Sequence, residues 1–142
     1  MGRNFPQADD DEPVRGSSEG LSMNWNRPAA AALLSTLAGG GVRHFVGSPG
    51  SRNTPLVLAA GEESRMKRHM VLDERSAGFF ALGLAKATRE PVVLACTSGT
   101  ALSHYFPAVI EASLSRIPLV ILSADRPGRI QDAGAPQTCL LY

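Results

Sequence analysis

The sequence predicts an α/β fold in which a parallel β-sheet is covered by helices on both faces. From Asn26 onward, short apolar segments typical of strands alternate with longer segments that have helical spacing. Residues 92–95 and 117–122 are uninterrupted apolar runs, as expected of strands that are covered on both faces. Strands that alternate with helices form parallel sheets through right-handed crossovers. With 142 residues, the chain is about the size of one domain.

Four helices and four strands are expected in alternation. The first helix should have Asn26 as its N-cap, Pro28 in its first turn and three glycines at its end. The helices are predicted over residues 26–41, 54–64, 75–88 and 101–115. The strands are predicted over residues 42–47, 68–72, 91–97 and 117–123.

Residues 1–22 are predicted to be a disordered tail. This segment combines prolines, glycines and serines with four consecutive acidic residues from Asp9 to Glu12. Such a composition buries too little apolar surface to offset the entropy cost of ordering. The folded domain is therefore expected over residues 23–142.

Composition argues against several classes of protein. The net charge is +1, from 14 basic and 13 acidic residues, and no dense basic run suggests a nucleic-acid partner. The N-terminus lacks the apolar core of a signal peptide, and no apolar run reaches the roughly 20 residues that span a bilayer. Cys96 and Cys139 lie far apart, and the histidines lack ligand spacing, so we expect neither a disulfide framework nor a zinc site. A cytoplasmic protein is expected.

Polar loops follow all four predicted strands. In parallel sheets, ligands bind outside the carboxyl ends of the strands. The loops are GSPGSRN, DERS, TSGTA and SADRPG, and they should share one edge of the sheet. Each loop alone could simply satisfy turn geometry. Together they predict a site.

The chemistry of these loops is that of a carboxylate, arginines and hydroxyls. None of these loops contains a GxGxxG, P-loop or GxSxG motif. Arg52 and Arg126 could each bind a substrate carboxylate in a bidentate fork, with Ser51 as a neutral donor, or they could be ordinary surface arginines. Glu74 lies where an apolar strand meets an Ala/Gly/Phe-rich helix, a setting that favours the neutral form of a carboxyl group. It could equally be a first-turn acid that pairs with Arg75.

The order of motifs resembles the N-terminal pyrimidine-binding domain of thiamine-diphosphate-dependent enzymes. The motifs are GSPGSRNTPL, DERSAGFFALGLAKAT, TSGTA, PAVIEA, ADRP and GAPQ, and they cover nearly everything from Asn26 to Gln137. Within that superfamily, the pairing of SPGSR with ADRP is most similar to the menaquinone-pathway synthases. These enzymes decarboxylate 2-oxoglutarate on thiamine diphosphate and add the four-carbon unit to isochorismate.

The resemblance implies a role for each matching position. Glu74 matches the glutamate that hydrogen-bonds N1′ of the cofactor's aminopyrimidine ring, which makes it the candidate catalytic residue. The TSGT segment matches cofactor-side positions, and other matched positions resemble the isochorismate-binding set. The cofactor-side residues are Thr97, Ser98, Gly99 and Thr100, and the substrate-side residues are Ser51, Arg52, Arg126 and Gln137.

Two departures from the family pattern limit these expectations. After Gln137 the chain reads TCLLY, where the family continues differently. The central domain and the domain that binds diphosphate and Mg²⁺ have no counterpart, so we expect no metal ligands here and no activity from this chain alone. The family also implies a homodimer or homotetramer with its active site between subunits. The alternatives are a truncated or split product that only binds a partner, and the N-terminal domain of another thiamine-diphosphate enzyme such as acetolactate synthase.

Overall fold

The computed structural model describes residues 26–125, which form a single four-stranded sheet with its connecting helices. The predicted disordered tail, Arg126, Gln137 and Cys139 lie outside the described residues. The α-helices are α1 (Asn26–Gly39), α2 (Thr54–Glu62), α3 (Glu74–Thr88) and α4 (Phe106–Leu114), and a 3₁₀ helix spans Gly99–Tyr105. The strands are β1 (His44–Gly47), β2 (Lys67–Met70), β3 (Val92–Cys96) and β4 (Leu119–Ser123). No described helix is long and apolar enough to cross a membrane.

All described strands run parallel, in the order β2-β1-β3-β4. The register places His44 of β1 beside Lys67 of β2 and beside Val92 of β3. Leu119 of β4 lies beside Val92 on the other side of β3. The carboxyl ends of the strands therefore meet at one edge, which confirms the predicted placement of the loops after β1, β2 and β3.

Two hydrophobic cores lie on opposite faces of the sheet, because successive side chains of a strand point to opposite sides. On one face Phe45, Val93 and Ala95 pack with α1 and α2, including Leu34 and Ala59. The other face carries a second core made by strand residues with α3 and the 3₁₀ helix, including Val46, Leu94, Ala77, Ala81 and Tyr105. Helices on both faces are thus confirmed.

The triple glycine ends α1 as expected. Gly41 has a φ of 98°, a left-handed conformation that glycine adopts without steric cost. Its N–H donates to Ala38 O at 3.2 Å, and Val42 N–H donates to Leu37 O at 3.1 Å. This pair of bonds is a Schellman motif, which satisfies carbonyl groups at the helix end and turns the chain into β1.

Three expectations about the elements need correction. The segment expected to be one helix over 101–115 begins as the 3₁₀ helix Gly99–Tyr105 and becomes α-helical only at Phe106. The change falls at Pro107, which has no backbone N–H to donate to a carbonyl of the preceding turn. The second strand is Lys67–Met70 rather than 68–72, and Leu72 is 83% exposed. β3 is fully buried, whereas β4 is only half-buried because β3 is its one neighbouring strand in the described part of the chain.

Candidate functional site

The loops that follow β1 and β3 touch each other at Gly50. A Cβ atom built on Gly50 would lie 2.4 Å from Thr97 Cβ, closer than real atoms approach. Ser48 N–H donates to Ala95 O at 3.1 Å, which extends the pairing of the two strands into the first loop residue. The absence of a side chain at position 50 therefore allows the SPGSRN loop to lie directly against the TSGT loop.

A surface pocket of about 480 Å³ opens at this edge of the sheet. It brings Glu74, at the start of α3, together with the TSGT segment and one side of the 3₁₀ helix. The lining residues are Glu74, Thr97, Ser98, Gly99, Thr100, Ala101 and His104. All five residues that the sequence assigned to the cofactor side thus line one pocket.

Glu74 is held at this pocket by the N-terminus of α3. Asp73 is the N-cap, and its Oδ1 accepts a hydrogen bond from Ser76 N–H at 2.8 Å. This bond, assisted by the charge of Arg75, lowers the pKa of Asp73 below its usual value. The cap fixes where the helix begins, so that Glu74, its first residue, lies in the wall of the pocket, while Asp73 has a structural role.

Buried polar atoms without partners mark the same region. Among residues 26–125, four buried side-chain oxygens lack a hydrogen-bond partner: Ser48 Oγ, Asn53 Oδ1, Thr97 Oγ1 and Ser98 Oγ. Thr97 and Ser98 are 7% and 4% exposed and line the pocket. Because an unpaired buried hydroxyl costs free energy, its persistence at a pocket suggests a ligand that completes the hydrogen bonds.

Tyr105, the residue after His104 in the 3₁₀ helix, has a buried side chain. Its hydroxyl donates to Ala95 O at 2.9 Å. Burial raises the pKa values of Tyr105 and Cys96 above their ordinary ranges, and the nearby Glu74 carboxylate adds to both shifts. Tyr105 is therefore a neutral hydrogen-bond donor throughout the physiological pH range.

The residues predicted to bind substrate are less fully defined. Ser51 and Arg52 are exposed on the loop between β1 and α2, and neither lines the pocket around Glu74. Arg126 and Gln137 both follow β4 in the sequence, and both lie outside the described residues. The structure thus brings the cofactor-side residues together, and it leaves the roles of the substrate-side residues as predictions.

Two features of the site were not predicted from the sequence. His104 lines the pocket, because the 3₁₀ helix has three residues per turn and places positions 101 and 104 on the same side. Tyr105 is buried with its hydroxyl bonded to the end of β3. The pattern of residues 101–115 predicts one α-helix, and it indicates neither feature. Among the described residues, no group of three or more His, Cys, Asp or Glu side chains is placed to hold a metal ion.

Several curated proteins have sequences similar to this chain. The chain is 58% identical over 107 residues to the 2-succinyl-5-enolpyruvyl-6-hydroxy-3-cyclohexene-1-carboxylate synthase of Listeria innocua, covering 75% of this chain and 18% of that one. It is 56% identical over 122 residues to the synthase of the same name from Myxococcus xanthus, covering 86% of this chain and 20% of that one. The predicted resemblance to this group of synthases is confirmed. The chain spans about a fifth of the length of these curated relatives.

A solved structure shows the same fold. Benzoylformate decarboxylase from Polynucleobacter necessarius superposes with a TM-score of 0.65 at 23% identity, over 81% of this chain and 21% of that one. The family described as "Thiamine pyrophosphate enzyme, N-terminal TPP binding domain" matches residues 27–141. The chain therefore belongs to the thiamine pyrophosphate enzymes, and it contains their N-terminal cofactor-binding domain.

Proposed function

We propose that this domain binds the aminopyrimidine ring of thiamine diphosphate at Glu74, in an enzyme that decarboxylates 2-oxoglutarate and transfers the four-carbon unit to isochorismate. One observation supports the cofactor site above the others. The pocket combines a carboxyl group with two buried hydroxyls that have no partner among the described residues. The substrate assignment is supported by the names of the relatives.

The residues of the pocket fit such a ring. An aminopyrimidine offers ring nitrogens that accept hydrogen bonds and an amino group that donates them. Glu74 would share a proton with ring nitrogen N1′, and Thr97 Oγ1 and Ser98 Oγ would pair with its other polar atoms. Gly99 and Ala101 are small and leave room for a flat group between the carboxyl and the 3₁₀ helix.

Glu74 would act as the acid–base group of this site. Glu74 is half-buried, and its carboxyl group could pass a proton to and from a neutral ring nitrogen within hydrogen-bond reach. When bound, thiamine diphosphate supplies the electron sink that decarboxylation of a 2-oxo acid requires. The protein's part is to hold the ring, to fix the proton at N1′ and to exclude water from the buried hydroxyls.

Other residues and domains would complete the enzyme. Ser51 and Arg52 would bind a carboxylate of isochorismate, and Arg126 and Gln137 would belong to the same set. Mg²⁺ and the diphosphate group would be held by domains other than this one, as the family resemblance implies. The enzyme would be a homodimer or homotetramer whose site is shared between subunits.

Two assays test these assignments. Purified chain supplied with 2-oxoglutarate, isochorismate, thiamine diphosphate and Mg²⁺ should form no adduct, and product formation would overturn the dependence on other domains. Arg52→Ala, made in a protein that carries all three domains, should impair addition to isochorismate while leaving decarboxylation of 2-oxoglutarate largely intact. Unimpaired addition would contradict the role of Arg52 and favour another type of thiamine-diphosphate enzyme.

A further inference from the structure

Tyr105 connects three parts of the candidate site through one carbonyl group. Its hydroxyl donates to Ala95 O at 2.9 Å, and Ser48 N–H donates to the same oxygen at 3.1 Å. Ala95 lies near the end of β3, Ser48 begins the SPGSRN loop, and Tyr105 ends the 3₁₀ helix. A carbonyl oxygen has two lone pairs, so it can accept both bonds at once.

The ring of Tyr105 also packs against α3. A Cβ atom at Gly78 would lie 3.4 Å from Tyr105 Cδ1, so the backbone of α3 runs close over the ring. Glu74 precedes Gly78 by four residues and so lies on the same face of α3. Tyr105, together with Ala108, whose Cβ would lie 3.0 Å from a Cβ at Gly78, thus limits how closely α3 approaches the 3₁₀ helix one turn after Glu74.

We propose that Tyr105 is a positioning residue, which fixes the pocket around Glu74 and the SPGSRN loop relative to each other through the Ala95 carbonyl. The proposal rests on the proposed function, because Glu74 and Arg52 matter only if they contact cofactor and substrate. A buried phenol that loses its acceptor pays a desolvation cost, so the fully buried hydroxyl holds its geometry firmly. Burial raises the pKa of Tyr105, so this connection does not change with pH in the physiological range.

Tyr105→Phe tests the connection, because it removes the hydroxyl and keeps the ring. Ala95 O retains Ser48 N–H as a donor, so no buried carbonyl is left unpaired. Amide hydrogen exchange in residues 97–101 and 48–53 should become roughly 2- to 12-fold faster, the factor that corresponds to one net hydrogen bond. The helix α1 lies on the other face of the sheet. Those of its amides that exchange by local opening should keep the same exchange rates.

Val42→Ala is the matched control, because Val42 is buried in the opposite core. If Tyr105→Phe leaves exchange in both loops unchanged, or raises it evenly throughout the chain as a general loss of stability would, the proposal is wrong. Should Tyr105→Phe fail to fold, the wild-type protein decides the question. A slowly exchanging Tyr105 hydroxyl proton with a nuclear Overhauser contact to Ser48 N–H is expected by NMR, and its absence would overturn the proposal.

A binding measurement separates this proposal from the proposed function. Thiamine diphosphate titrated into the wild-type chain should bind, and Tyr105→Phe should weaken binding severalfold more than Val42→Ala does. Equal affinities of wild type and Tyr105→Phe would contradict the positioning role. If the wild-type chain binds neither thiamine diphosphate nor its free aminopyrimidine, the proposed function fails, and the exchange comparison alone decides the role of Tyr105.

Discussion

Gly50→Ala should destabilise the protein by forcing apart the two loops that carry most of the candidate site. The new Cβ would lie 2.4 Å from Thr97 Cβ, 2.8 Å from Thr97 Oγ1 and 2.9 Å from Thr97 Cγ2. Overpacking of this kind typically costs about 1 to 3 kcal/mol. For a fold of this size, that cost should lower the melting temperature by roughly 4 to 24 °C. Thermal unfolding followed by circular dichroism measures the change.

Gly83→Ala provides a matched control for this substitution. Gly83 lies within α3, and a Cβ there would have no atom within 4 Å. Alanine should therefore stabilise the helix by about 1 kcal/mol through its higher helix propensity. Thr97→Gly combined with Gly50→Ala removes all three crowded atoms and should recover part of the lost stability. A Gly50→Ala protein as stable as wild type would show that the two loops are not in contact as described.

Three further predictions concern the helix cap, the pocket hydroxyls and the apolar surface. Asp73→Ala should lower the melting temperature at neutral pH. Because the fold lowers the pKa of Asp73, the difference in melting temperature between variant and wild type should shrink as the pH falls below about 4. A difference that stays constant with pH would refute the cap. Thr97→Val should leave thermal stability equal or higher, since Thr97 Oγ1 has no partner among the described residues. The same substitution should weaken thiamine diphosphate binding. A clear loss of stability would contradict the unpaired state of this hydroxyl. Phe106 and Leu114 are 65% and 77% exposed on α4, and this apolar surface should cause self-association. Leu114→Lys should therefore lower the apparent mass in analytical ultracentrifugation. An unchanged mass would contradict self-association through α4.

The sequence was sufficient to predict the parallel sheet and the loops at its edge. β3 is one continuous apolar run, and its burial on both faces follows directly from that pattern. The triple glycine predicted the end of α1 because helices commonly end with a left-handed residue. The loops that contain Glu74 and Thr97 were predicted to share one site because parallel strands bring their carboxyl ends together, and both residues, whose cofactor-side roles the family resemblance implies, line the pocket.

Features that depend on three-dimensional packing could not be predicted. The TSGTALSHYFP sequence did not indicate that its first part forms a 3₁₀ helix, or that the side of this helix with Ala101 and His104 faces the pocket. The contact between Gly50 and Thr97 joins loops that are far apart in sequence, so no local pattern encodes it. The shared acceptor at Ala95 also requires the positions of three separate elements.

Binding of a free aminopyrimidine tests the central claim most directly. NMR titration of the labelled 142-residue chain with 4-amino-5-hydroxymethyl-2-methylpyrimidine requires neither Mg²⁺ nor other domains. Shifts should be concentrated at Glu74 and in residues 97–100, and Glu74→Gln, which keeps the shape but cannot hold the proton in the same way, should weaken binding severalfold. A chain whose pocket resonances do not shift, or that binds equally well with glutamine at position 74, would contradict the account.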